Sequence, residues 1–139
     1  MKPAVILLLC LGTACSILTA CGGSADYSDV IEVNEQYIDL LETYVGKLDE
    51  AADAPAVADA MHELADGLEV LMPRMKELMG KYPELKDEDQ QPERVKALTQ
   101  KAAEVAKQFV RSMPKVMPYM NDADVREAQA RIGAIWKKQ

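Results

Sequence analysis

The chain has 139 residues, the usual length of one globular domain whose core is large enough to be stable by itself. Its 16 basic and 23 acidic side chains have a formal net charge of −7 and form no basic stripe. A surface of this kind repels phosphates, so nucleic acid is excluded as an expected partner.

Residues 1–20 are predicted to be a secretion signal that is cleaved from the mature chain. Lys2 is followed by an apolar run from Ala4 to Ala20, which is shorter than a typical membrane span and ends in small residues. The segment Leu18-Thr19-Ala20-Cys21 lies at the end of this run. It resembles the lipobox of bacterial lipoproteins, in which an aliphatic residue and two small residues precede a cysteine.

The resemblance implies that Cys21 becomes the lipid-bearing N-terminus of the mature protein. Residues 21–25 then form a flexible tether, for which Gly22, Gly23 and Ser24 are well suited. The alternative is an ordinary signal cleavage that leaves Cys21 as a free thiol. In the lipoprotein family, aspartate after the cysteine retains the protein in the inner membrane. Gly22 therefore implies attachment to the outer membrane, facing the periplasm.

Cysteine content and charge lead to two further expectations for the mature chain. Cys10 and Cys15 leave with the signal, so the domain formed by residues 26–139 has no thiol for a disulfide and depends on packing. Loss of Lys2 leaves 15 basic and 23 acidic side chains, a formal charge of about −8. Anionic headgroups repel such a surface, so the lipid on Cys21 is the expected link to the membrane.

Apolar residues recur at helical spacing in four segments of this domain. The first segment, about residues 26–52, has a broad stripe that predicts contact with two neighbouring helices. The stripe consists of Val30, Ile31, Tyr37, Ile38, Leu41, Tyr44, Val45 and Leu48. The second segment begins at Pro55 and alternates spacings of four and three, as in a heptad seam. This seam consists of Val57, Met61, Leu64, Leu68, Leu71, Met75, Leu78, Tyr82 and Leu85.

The third and fourth segments follow the polar run of residues 86–91, which predicts a solvated loop. The third segment opens at Pro92, and its apolar residues are Val95, Leu98, Ala102, Val105, Phe109, Val116 and Tyr119. The apolar residues of the fourth segment are Val125, Ala128, Ile132 and Ile135.

Capping residues and prolines refine the helix boundaries. Asp26 or Ser28 is expected to cap the first helix. Asn121 or Asp122 is expected to cap the fourth. Prolines inside the periodic stretches remove a backbone donor and predict bends at Pro73, Pro114 and Pro118.

These segments predict an all-α, up-down-up-down four-helix bundle, because short connections make sequential helices antiparallel. The fourth helix, at about 17 residues, is shorter than the others and covers ~25 Å of a bundle whose longer helices run ~40 Å. Part of the apolar seam is then left open. The open part is expected where the start of the first helix, the end of the second and the start of the third meet.

Residues 47–138 resemble the haem-binding b-type cytochrome four-helix bundles of the periplasm in helix lengths and in the break after the second helix. Those proteins hold haem between a methionine on the first helix and a histidine on the last. The first helix of this chain has no methionine, and the fourth has no histidine. The resemblance therefore implies the bundle shape without haem, and no cofactor is expected.

No catalytic residue is predicted. A Ser-His-Asp or Cys-His arrangement needs a histidine as base, and the single histidine is His62. His62 follows the seam residue Met61 and is expected to face solvent from an amphipathic helix. The chain is therefore predicted not to be an enzyme.

Methionines lead to two hypotheses, against the simpler interpretation that they fill irregular core space around the prolines. Met61, His62, Met113 and Met117 are expected at the same end of the bundle and could form a soft-metal site for Cu(I). Met72, Met75 and Met79 are expected at the open seam. This second group predicts a protein partner or a second copy of the chain, unless the loop or the tether covers it.

The sequence therefore predicts a lipid-anchored, non-enzymatic interaction or structural module of the cell envelope. A bundle that binds a small ligand or a soft metal is the alternative.

Overall fold

The computed structural model describes residues 27–138, and these form four α-helices without a β-strand. The helices are α1 (Ser28–Glu50), α2 (Ala54–Lys81), α3 (Glu93–Val116) and α4 (Ala123–Lys137). Short 3-10 turns lie at Pro83–Lys86, Glu88–Gln90 and Met117–Tyr119. The predicted all-α four-helix bundle is confirmed. None of the helices in this described part of the chain combines the length and apolar composition of a membrane span.

Ion pairs between helices show their relative directions. α1 and α2 are antiparallel, because residues further along α1 pair with residues nearer the start of α2. The pairs are Asp29–Lys81, Glu32–Arg74 and Lys47–Glu63. α1 and α3 are parallel, because their pairs rise together: Glu35–Arg94, Glu42–Lys101 and Asp49–Lys115. α4 runs parallel to α2, since Arg131 pairs with Asp66 and Glu69 while the carbonyl of Lys138 lies beside Lys76.

The order of directions is up-down-up-down, as predicted, but the neighbours are not simply sequential. α1 packs against both α2 and α3, and α2 packs against α4. The segment between Lys81 and Glu93, with its two 3-10 turns, connects α2 to a helix that lies beside α1. α1 therefore contacts two helices, as its broad stripe predicted.

The core lies mainly between α1 and α2, with smaller contributions from α3 and α4. Its most deeply buried large side chains are Val33, Ile38, Leu48, Val57, Leu64, Leu68 and Val125. Val33, which is 1% exposed, was absent from the predicted stripe of α1. It is buried because α1 packs against helices on two sides.

Three of the predicted helix starts are confirmed. Pro92, predicted to open the third helix, is the N-cap residue of α3. Pro55 lies in the first turn of α2, where Asp53 is the N-cap and accepts a hydrogen bond from the Ala56 amide at 3.0 Å. Asp122, one of the two candidates for α4, is its N-cap and accepts from the amides of Asp124 and Val125 at 2.9 and 3.3 Å.

The start of α1 differs from the prediction. Tyr27 is the N-cap residue and makes no capping hydrogen bond, while Ser28 is already helical, so the prediction for Ser28 is wrong. Asp26 lies outside the described residues. A tertiary contact holds this end of α1, because the Tyr27 ring lies 5.1 Å from the Tyr82 ring at the end of α2.

The three prolines at which bends were predicted lie in different kinds of structure. Pro73 and Pro114 lie inside continuous helices, α2 and α3 respectively. Pro118 lies in the 3-10 turn that follows α3 and separates it from α4. Of the three, only Pro118 lies where one helix stops and the chain turns toward the next.

Candidate functional site: an end cavity and an exposed helix edge

An apolar cavity of about 200 Å³ lies at the end of the bundle where α1 begins, and it is here called the end cavity. Its apolar wall comes from α1, α2, the turn after α2 and α3. The wall residues are Val30, Val33, Met75, Leu78, Met79, Tyr82, Leu85 and Val95.

The cavity is open because α4 is short. α4 has 15 residues, and the carbonyl that follows it, that of Lys138, accepts a hydrogen bond from Lys76 at 3.5 Å. α2 continues to Lys81, so its last turn extends beyond the end of α4. A cavity therefore lies where the short fourth helix was predicted to leave the seam open, and the segment before α3 covers part of it through Leu85 and Gln91.

Three polar side chains in the wall already have hydrogen-bond acceptors on the backbone. The Asn34 amide donates to the Val30 carbonyl at 2.8 Å. The Thr99 hydroxyl donates to the Val95 carbonyl at 3.0 Å. The Gln91 amide donates to the carbonyl of Leu85 at 2.6 Å. The charged side chain of Lys86 also lines the cavity, but the rest of the wall favours an occupant that needs few directional hydrogen bonds.

A polar cluster next to the end cavity joins the start of α1 to the end of α2. Lys81 pairs with Asp29 at 2.6 Å, and the Tyr82 hydroxyl donates to the same carboxylate at 3.2 Å. The hydrogen bond from Lys81 lowers the pKa of Asp29 and raises the pKa of Lys81 itself. The Tyr27 hydroxyl donates to Glu84 at 3.1 Å, and desolvation together with this carboxylate raises the pKa of Tyr27. The cluster holds the chain entering α1 against one side of the cavity.

The methionine group predicted to meet a partner is divided between the core and the end cavity. Met72 is only 7% exposed and belongs to the core. Met75 packs partly against the core and lines the cavity. Met79 also lines the cavity but is 53% exposed. The expected exposed strip is therefore reduced to one cavity wall, and partner binding by this group stays a prediction.

The four residues of the copper hypothesis differ in exposure. Met61 is buried in the core, whereas Met113 and Met117 are 51% and 68% exposed. His62 is half-buried rather than fully exposed to solvent. This separation between interior and surface does not favour a shared site, and the copper hypothesis stays a prediction. Among the described residues, no group of three or more His, Cys, Asp or Glu side chains could hold a metal ion.

Cys21, the predicted site of lipid attachment, lies outside the described residues, as do the signal and the tether of residues 21–25. No catalytic residue was predicted.

A second apolar feature, absent from the predictions, lies along the surface of α3. Ala103, Ala106, Val110, Met113 and Met117 follow one another at spacings of three, four, three and four and are all exposed. Val110 exposes 61% of its surface. These five residues form what is here called the α3 edge. Its heptad spacing was visible in the sequence beside the better-populated core stripe of the same helix.

The α3 edge borders an incompletely closed seam between α3 and α4. These two helices are not a closely packed pair in the bundle. A cavity of about 50 Å³ separates Ala106 and Phe109 of α3 from Ile132 and Trp136 of α4. Trp136 is 48% exposed. The bundle therefore leaves apolar surface of α3 available on the side toward α4.

Comparison of the chain with protein-family models, with curated proteins and with solved structures finds no match.

Proposed function

We propose that this protein is a lipid-anchored, non-enzymatic interaction module on the periplasmic face of the outer membrane. Cys21 carries the lipid, and the helical bundle binds another envelope protein through a helix face. The segment Leu18-Thr19-Ala20-Cys21, with its resemblance to a lipobox, supports the anchoring.

The α3 edge is the observation that carries the binding part of this proposal. Val110 and Met113 on α3, and Met117 at the start of the 3-10 turn that follows it, each expose half or more of their surface along one edge. Clustered exposed apolar side chains are unusual on a monomeric protein and mark binding surfaces. Methionine suits such a surface because its flexible side chain adapts to a partner.

Charge indicates the kind of partner. α3 contains six basic and two acidic residues, although the chain as a whole is acidic. Lys107 and Arg111 lie beside Ala103, Ala106 and Val110. A partner helix with its own apolar stripe and an acidic border complements this surface. A second copy of the chain presents the same basic border and is therefore less well matched.

Site-specific photo-crosslinking in intact cell envelopes tests the proposal. A photoreactive phenylalanine analogue at Val110 is expected to give a discrete adduct whose partner is identified by mass spectrometry. The matched control is Gln108, which is exposed on the same helix and lies ~200° around its axis. Absence of an adduct at Val110, or equal adducts at both positions, contradicts the proposal. An adduct of two identical chains shows self-association instead.

The second candidate function is binding of a small apolar ligand, and the end cavity is the observation that favours it. The end cavity has a volume of about 200 Å³, is lined mainly by apolar side chains and is open at the end of the bundle. Its wall has few polar groups to orient a ligand, so the ligand would be recognised by shape and apolar character.

A further inference from the structure

The end cavity is shaped for an apolar group without strong hydrogen-bonding demands. Its three hydrogen-bonded polar side chains, Asn34, Gln91 and Thr99, already donate to backbone carbonyls of the bundle. Met75 and Met79 supply flexible walls that adapt to a thin chain. A methylene group and a water molecule are similar in size, and water occupies ~30 Å³ in the liquid. The volume of about 200 Å³ thus suits a short stretch of one hydrocarbon chain.

The described chain begins beside this cavity. The Tyr27 ring lies 5.1 Å from the ring of Tyr82, and Tyr82 is part of the cavity wall. Five residues lie between Cys21 and Tyr27, and the six Cα–Cα steps that join them span at most ~20 Å when extended. A lipid on Cys21 therefore begins within reach of the cavity, whatever path the intervening residues take.

A tethered group has a strong advantage over a free one. A short flexible linker holds its group at an effective concentration in the millimolar range near the site. The acyl chains on Cys21 would thus compete well against other apolar molecules for the cavity. The segment that connects α2 to α3 lines one side of the cavity through Leu85 and Gln91, and α4, which ends level with Lys76, does not extend over the remaining opening.

We infer that the end cavity holds part of one acyl chain of the lipid on Cys21, so that the protein's own anchor seals the open end of its bundle. This inference rests on the lipidation in the proposed function. It makes Met75 and Met79 contacts of the lipid and leaves the α3 edge for the protein partner.

Metabolic labelling with a palmitate analogue that contains a diazirine tests the inference in the full-length protein in its membrane. After irradiation, the protein is digested and the peptides attached to the label are identified by mass spectrometry. Labelled peptides are expected from the end of α2, near Met79, and from the start of α3, near Val95. Peptides that contain Met117, at the opposite end of the bundle, are expected to be unlabelled.

Two variants make the result specific. Met79→Trp fills part of the cavity at a half-exposed position and is expected to reduce labelling near Leu78 and Val95 at least several-fold. Val70→Trp introduces the same side chain at an exposed site of α2 that lines neither the cavity nor the α3 edge, and it is expected to leave the labelling unchanged. Equal labelling in Met79→Trp, or label found only in surrounding lipid, overturns the inference.

The mass of the N-terminal peptide separates this inference from the proposed function. An N-terminal peptide without acyl groups on Cys21 contradicts the lipidation and with it both proposals. Acylation without labelling of the cavity contradicts the inference alone. Cavity labelling that persists in Cys21→Ser, with the labelled fatty acid attached to no cysteine, shows that the cavity takes a membrane lipid and also overturns the inference.

Discussion

Replacement of Gly67 with alanine has two opposing effects on the free energy of unfolding. Alanine in a helix interior is favoured over glycine by about 1 kcal/mol. A Cβ atom at Gly67, however, would lie 2.5 and 2.6 Å from the two Cδ atoms of Leu40 and 3.1 Å from its Cγ. To admit the new Cβ atom, the half-buried Leu40 side chain must change its χ1 rotamer or the two helices must move apart. Overpacking of this kind costs about 1–3 kcal/mol.

Gly67→Ala is therefore expected to lower the free energy of unfolding by about 0–2 kcal/mol, as the difference between these two effects. Gly46 and Gly133 are the matched controls, because a Cβ atom at either position meets nothing within 4 Å. Alanine at these two positions is expected to stabilise the protein by about 0.5–1 kcal/mol. Urea denaturation followed by circular dichroism measures all three values.

A double-mutant cycle attributes the effect to the contact between α1 and α2. Leu40→Ala by itself removes a half-buried side chain and destabilises the protein. In the protein that already carries Leu40→Ala, the clash is absent, so Gly67→Ala is expected to raise the free energy of unfolding through the helix preference of alanine. The coupling energy between the two substitutions is expected to be about 1 kcal/mol or more. If Gly67→Ala instead stabilises the native chain as much as Gly46→Ala does, the close packing of α1 against α2 at this point is refuted.

Two more predictions concern the core and the last helix. Burial raises the pKa of Tyr44 to about 12, so the folded protein keeps this phenol protonated while the unfolded chain ionises near its ordinary pKa of 10. The contribution of this phenol to the free energy of unfolding is fully present below pH ~10 and is lost as the pH rises to about 12. Tyr44→Phe is expected to flatten this loss in denaturation curves recorded across that range, and an unchanged slope would refute the assignment. Asp122→Ala removes the acceptor for two amides at the start of α4 and is expected to cost about 1 kcal/mol. Hydrogen exchange should then accelerate first in α4, and uniform acceleration throughout the bundle would contradict this local role.

Much of the local structure was predictable, because it depends on residues close together in the chain. Helical spacing of apolar residues identified all four helices. The preference of aspartate for the N-cap identified the start of α4 at Asp122, and the preference of proline for the first turn identified Pro55 in α2. The length of α4 relative to the others was enough to predict an opening at the end of the bundle where α1 begins.

Other features depended on contacts between distant segments. Sequence spacing did not show that α3 lies beside α1, because the connection between Lys81 and Glu93 can reach more than one neighbouring position. The burial of Val33 depends on this arrangement. The start of α1 depends on a different distant contact, between Tyr27 and Tyr82 at the end of α2. Met72 and Met79 both belong to one predicted group, yet one is buried in the core and the other is half exposed.

The sequence alone therefore determined the helices, most of their boundaries and the net charge, since these follow from side-chain chemistry and local spacing. It also supplied the resemblance to a lipobox that motivates the proposed anchor at Cys21. Only the tertiary structure decided that the second apolar stripe of α3, the α3 edge, remains exposed. The better-populated spacing identified the buried stripe, but exposure of the other stripe depends on how closely α4 approaches the same helix.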